Sequence, residues 1–161
     1  MSSAMSKGYT YQGTVQVGKF SVMVADSSIS NDGMLLPAGQ NVRALGIIQD
    51  GIVPENFSEY VKGSYGGVSQ AAWPANALPS SPQGVFKRPL IYAGVSKARA
   101  AGAIGRDDWL VVADTDGRVG SIVTLAIAGG TLVHIVGRAD EPAVNAEDVL
   151  RIYVDIHDRH V

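Results

Sequence analysis

A chain of 161 residues with 46% hydrophobic and only 17% charged side chains is long enough for one cored domain and too short for two joined by a linker. Its formal net charge of -2, with acids and bases interspersed, leaves no electrostatic footprint for DNA or an anionic membrane. The absence of cysteine excludes disulfides, thiolate metal sites and a cysteine nucleophile.

The 19 glycines and 7 prolines favour a turn-rich all-β domain over a helical bundle. The first residues lack a basic start followed by an apolar run, so no signal peptide is expected. Residues 1–13 are small and polar apart from Tyr9 and Tyr11. Such a segment cannot bury enough surface to fold alone, and it reads as a flexible arm: either a frayed tail, or a segment that orders on a neighbouring chain with the two tyrosines anchoring an added strand.

From residue 14 the apolar positions alternate. Val15 and Val17 share one side, and after Gly18 the set moves to Phe20, Val22 and Val24, the one-position shift of a β-bulge or bend. Residues 27–33 are a Ser/Asn/Asp/Gly loop, and 42–51 read as a strand and turn. The β core is therefore expected over 14–53 and again over 90–156. Between them, 54–89 holds five of the seven prolines together with Phe57, Tyr60, Tyr65, Trp73 and Phe86. Prolines at this density prevent a central strand or long helix, so this is an insertion whose aromatics pack on its own domain or on another subunit.

Residues 95–104 are alanine-rich, but Gly94, Gly102 and Gly105 favour an extended segment with a turn over a helix. Residues 109–113 read as a strand, Asp114-Thr115-Asp116-Gly117 as a hairpin turn with glycine at positive φ, and 119–128 and 131–138 as strands paired across Gly129-Gly130. The apolar stretch 121–137 is too short, too β-branched and too interrupted by glycine for a membrane-spanning helix. Leu150, Ile152, Val154 and Ile156 alternate with Val149, Arg151, Tyr153 and Asp155, the pattern of a half-buried strand, and 157–161 follow as a solvated tail. A strand, glycine, acidic turn, loop and strand occur both over 45–61 and over 136–152, an internal echo suited to a sandwich or a pseudo-symmetric barrel.

Chemistry is sparse. Asp114-x-Asp116-Gly117 lacks the remaining ligands of a calcium loop. The residues Asp155, His157, Asp158 and His160 could take a divalent metal adventitiously, but a solvated tail accounts for them. His134 alternates with Leu132 and Val136 and reads as a hydrogen-bonded core or interface histidine. Gly66-Gly67-Val68-Ser69 lacks the setting of a nucleophile elbow, and no phosphate or dinucleotide loop occurs. The expectation is a protein that is not an enzyme, with no metal and no cofactor.

Gly105-Arg106-Asp107-Asp108-Trp109, the Asp114 to Gly117 turn with Arg118-Val119, Val136-Gly137-Arg138-Ala139-Asp140-Glu141-Pro142 and the closing run from Glu147 to Val154 together resemble the capsid cement, or head decoration, proteins of tailed bacteriophages. Leu36-Pro37-Ala38-Gly39 and 42–49 fit the pattern more loosely. Arg106-Asp107 interposed before Asp108, and the length of 54–89, differ from it. The resemblance implies a non-enzymatic protein on the outer surface of a virion, bound to the assembled shell of major capsid protein, as a homo-oligomer with a trimer favoured. It implies no direct contact with nucleic acid or membrane. Tyr9, Tyr11, Tyr65, Trp73 and Phe86 are then the expected capsid or intersubunit contacts. A different reading is a glycan-binding β-sandwich with Tyr60, Tyr65 and Trp73 as a stacking platform. A third is a small β-barrel hydrolase using His134 and a carboxylate.

Overall fold

The computed structural model describes residues 4–13, 15–29, 32–52 and 86–161, and the described residues are strands and turns without a helix. The strands are β1 (Met5–Tyr11), β2 (Val22–Ala25), β3 (Gly33–Leu35), β4 (Gly46–Ile48), β5 (Phe86–Arg99), β6 (Trp109–Val112), β7 (Val119–Ser121), β8 (Leu132–Ala139) and β9 (Val149–His160). They form one hydrogen-bonded system in the order β1-β3-β2-β4-β5-β9-β8-β6-β7, with β1 also paired to β5.

That last pairing decides the architecture. Because β1 lies against β3 on one edge and β5 on the other, strands β1, β3, β2, β4 and β5 close into a five-stranded barrel. Its interior is filled by Tyr11, Val17, Met23, Met34, Ile48, Ile52 and Leu90. Beyond it the second half of β5 pairs with β9, and β8, β6 and β7 follow. Ala100, one residue past β5, then bridges back to Val119 of β7. The second lobe is thus also wrapped around a core of its own, which includes Ala98, Leu110, Val112, Val136, Leu150 and Ile152.

The two lobes share β2, β4 and β5. Ile48 and Met23 face the barrel interior while their neighbours Ile47 and Val22, paired in register, face the second core. A strand buried on both faces needs a continuous apolar run, and Gly46-Ile47-Ile48 supplies one. A Cβ on Gly46 would stand 2.7 Å from the Ile91 carbonyl oxygen, so glycine is what lets β4 and β5 approach.

The second lobe contains an internal two-fold. Arg99-Ala100 leads through a loop to Ile104, a turn, Asp107-Asp108 and β6. Arg138-Ala139 leads likewise to Ala143, a turn, Glu147-Asp148 and β9. The hydrogen bonds between the two units are reciprocal: Ile104 and Ala143 exchange both backbone bonds, the Asp107 N–H donates to Ala139 O as the Glu147 N–H donates to Ala100 O, and the Ala139 N–H donates to Asp108 O as the Ala100 N–H donates to Asp148 O. Asp107 and Glu147 both adopt positive φ, 67° and 71°. Each of the following aspartates folds its carboxylate back onto its own turn, Asp108 on the Gly105 N–H and Asp148 on those of Val144 and Asn145. The internal repeat therefore pairs 99–112 with 138–152. The echo read from 45–61 is not this repeat, and part of it lies outside the described residues.

Of the antiparallel sandwich or small barrel expected, the structure forms the barrel, with one parallel pairing, β1 to β3. Other expectations change. Met5–Tyr11 is a strand with seven Cα partners on β5 where a flexible arm was expected. The solvated tail is strand as far as His160, because residues 157–160 pair with Ile135 down to Leu132. Residues 86–89, assigned to the insertion, open β5. Finally, 119–128 and 131–138 are not a hairpin. β7 ends at Ser121 and pairs with β6, and the chain then turns, with the Leu125 N–H donating to Ser121 O, so that Ile122, Leu125 and Ile127 cover Val111, Val133 and Ile135 on the outside of β6 and β8.

Candidate interaction surfaces

Three of the aromatics expected to contact a partner come together at the barrel. Tyr11 is only 2% exposed, and its hydroxyl donates to Val15 O at 2.6 Å. Burial raises its pKa above the usual 10.0. Tyr11 pairs with Phe86 across β1 and β5, and Phe86 and Tyr9 pack, partly buried, on the same core. Lys7 Nζ lies 5.3 Å from the centre of the Tyr9 ring and the Arg88 guanidinium 5.9 Å from that of Phe86. Tyr11 therefore points into the barrel, and the partly exposed surface here belongs to Tyr9, Phe86 and their cations. Tyr65 and Trp73, with Tyr60 and Phe57, lie outside the described residues.

A larger surface lies on the outward face of the second lobe. Strand register places Val95, Tyr153, Arg138 and Trp109 in one row across β5, β9, β8 and β6. Trp109 is the hub. The Arg138 guanidinium lies 5.9 Å and that of Arg159 5.3 Å from its ring, and His157 meets it edge-on at 5.4 Å between centroids. Tyr153 and Val149 are 41% and 49% exposed. Arg151 is held by Asp140 and Glu141. The alternation of β9 marked Arg151 and Tyr153 as outward in the sequence. Trp109 and Arg138 could join them only once the pairing of β6 and β8 was known.

A third cluster ties the lobes together. Glu147 accepts from Arg99 at 2.9 Å and from Arg118 at 2.6 Å, Arg118 also pairs with Asp114, and Arg99 reaches back to Ser21 Oγ and Asp116 O. Burial opposes ionisation of Glu147, but the bonds from Arg118 and Arg99 outweigh it and hold its carboxyl below the ordinary 4.5. Backbone N–H donors of Asn145 and Val144 do the same for Asp148, Arg151 for Asp140 and His134 for Asp158. A carboxyl whose pKa is depressed on folding contributes stability that is complete above its unfolded pKa and lost as pH falls through the folded one. Thermal stability should therefore be flat from neutrality to about pH 5 and decline below about pH 4. Asp148→Asn should shallow that decline, and a melting temperature unchanged down to about pH 3 would contradict the assignment.

His134, expected to be hydrogen-bonded, is: its Nδ1 lies 2.7 Å from Asp158 Oδ1. Asn41, at φ 55°, completes this corner. Its N–H donates to Val112 O, where β6 ends, and its carboxamide then takes over the edge of β8, donating to Leu132 O at 3.0 Å and accepting from the His134 N–H at 2.9 Å. Asn41→Ala should cost about 1 to 2 kcal/mol, with Leu132 and His134 amides losing hydrogen-exchange protection first.

Cavities among the described residues include two away from the aromatic face. One of about 260 Å³ is lined by Gln16, Gly18, Leu36, Arg99 and Asp116, and one of about 130 Å³ by small residues including Ala101, Gly102 and Gly120 with Leu125.

No family model and no curated protein matches the chain. A solved structure does. The chain is similar in fold to the N base of the head fiber gp8.5 of bacteriophage phi29, with a TM-score of 0.57 and 11% sequence identity, over 94% of this chain and 95% of that one. At that identity the match shows a shared fold over nearly the whole of both chains.

Proposed function

We propose that this chain is a structural, non-catalytic protein of a tailed-phage virion that attaches to the outer surface of the assembled major capsid protein shell and stabilises it, acting as a homo-oligomer with a trimer favoured. The observation that carries this reading is the end-to-end likeness of its fold to the base of a phage head fiber. The strand and turn resemblance to head decoration proteins, found independently in 105–154, supports it.

The physical mechanism is bridging. A single contact to one shell subunit is weak, but an oligomer that touches several neighbours forms its later contacts at high effective concentration, so the assembly holds tightly without any strong individual contact. Bridged subunits separate only when several contacts break together, which raises resistance to heat and to internal pressure. The test is sedimentation of purified protein with assembled, undecorated shells. Saturable co-pelleting, with a rise in the temperature at which shells come apart, is the expected result. Recovery of the protein wholly in the supernatant at every concentration would refute it.

A further inference from the structure

Given that capsid-surface reading, we infer that the outward face of the β5-β9-β8-β6 sheet is the docking surface, and that it receives a carboxylate-rich patch of the shell protein. The face is built from Trp109, Arg138, Tyr153 and Arg159, with Val95 and Lys97 at the β5 side. Trp, Tyr and Arg are the residue types that dominate binding energy at protein interfaces, and here they are carried on paired strands, so little ordering is needed on binding. The exposed Tyr153 and Val149 give the face apolar area, and the Arg138 side chain is 48% exposed.

The charge on the face identifies the partner. Two guanidinium groups share the Trp109 ring. A guanidinium stacked on an aromatic ring keeps its N–H edge free for bidentate bonding to a carboxylate. Among the described residues Arg138 has only Asp107, itself 70% exposed, at 3.8 Å. Arg159 and Lys97 have no carboxylate within ion-pair distance among the described residues, while Arg151 beside them is neutralised by Asp140 and Glu141. Two cations held at one ring repel each other until an anion arrives. A polyanion is a poor match, because Asp107 and Asp155 interrupt the face and the chain as a whole is net negative at -2. Separate carboxylates spaced along a protein surface can meet the arginines and avoid those acids.

The experiment measures shell binding by Arg138→Glu, Arg159→Glu and the double variant, alongside melting temperature and sedimentation velocity of each. Charge reversal turns attraction into repulsion, so each single variant should bind about tenfold or more weakly, the double variant more weakly still, and the parent should weaken as salt rises. Arg138→Lys should retain part of the affinity, since it keeps the charge and loses the bidentate fork. Melting temperatures should stay close to that of the parent. If the parent binds shells and the double variant binds equally well with an unchanged melting temperature, the docking face is wrong and the capsid-surface reading survives. If the parent does not bind shells at all, both fail. Loss of a solution oligomer in the variants, with shell binding intact, would make the face a contact between copies and overturn the inference. Equal binding of the parent to heparin and to shells would overturn the carboxylate-patch partner.

Discussion

Gly137→Ala is expected to destabilise this protein by about 3 kcal/mol or more, lowering its melting temperature by about 10 °C. Gly137 lies in β8 between β6 and β9, and a Cβ built there would fall on the carbonyl oxygen of Tyr153, well inside van der Waals contact. The obstacle is backbone in a strand pinned on both edges, so no side-chain rotation can relieve it. Opening the β8 and β9 pair would also break the bulge between Ile135 and Gly137. That bulge shifts the alternation by one residue, so that Val136 and Ala139, three apart in sequence, both face the inner core. Gly129→Ala is the control: nothing stands within 4 Å of its Cβ position, and the change should stay within about 0.5 kcal/mol. Urea titrations of the two variants measure both effects, and equal midpoints would contradict the packing described for β8.

Tyr11→Ala should cost about 3 to 4 kcal/mol, comparable to removal of any large core aromatic. Tyr11→Phe should cost only about 1 kcal/mol, for the hydroxyl bond to Val15 O alone. The distinction matters because Tyr11 sits in the segment that reads as a detachable arm. If β1 closes the barrel, deleting residues 1–11 exposes the edges of β3 and β5 and uncovers Met34 and Leu90, and the melting temperature of the whole chain must fall. An unchanged melting temperature in the truncated chain would return residues 1–11 to the status of an arm.

The contrast between β1 and β9 explains what can be read from a sequence of this kind. In β9 the alternation of Leu150, Ile152 and Val154 with Arg151, Tyr153 and Asp155 is imposed by one buried and one wet face, and the strand is legible before any pairing is known. The Asp114 to Gly117 turn is legible for a local reason as well, since Gly117 must adopt φ 74° against the backbone of Val22. In β1 the first four residues are exposed on both faces, so no periodicity marks them, and the strand exists only because β5 offers an edge. The run after Ser121 misleads in the opposite sense. Ile122, Val123, Leu125 and Ile127 have strand composition, but Ile122, Leu125 and Ile127 cover an apolar patch made by β6 and β8 that no local pattern announces. The candidate docking row was only partly visible for the same reason: Tyr153 follows from one strand's alternation, while Trp109 and Arg138 follow only from register across three.

The most direct measurement of the capsid-surface account is an electron cryomicroscopy map of the virion. The account predicts density outside the shell, fitted by a two-lobed all-β body, with the row from Val95 to Trp109 turned toward acidic side chains of the major capsid protein. A map in which every outer density is accounted for by other chains, or in which this protein lies within the shell, would contradict it.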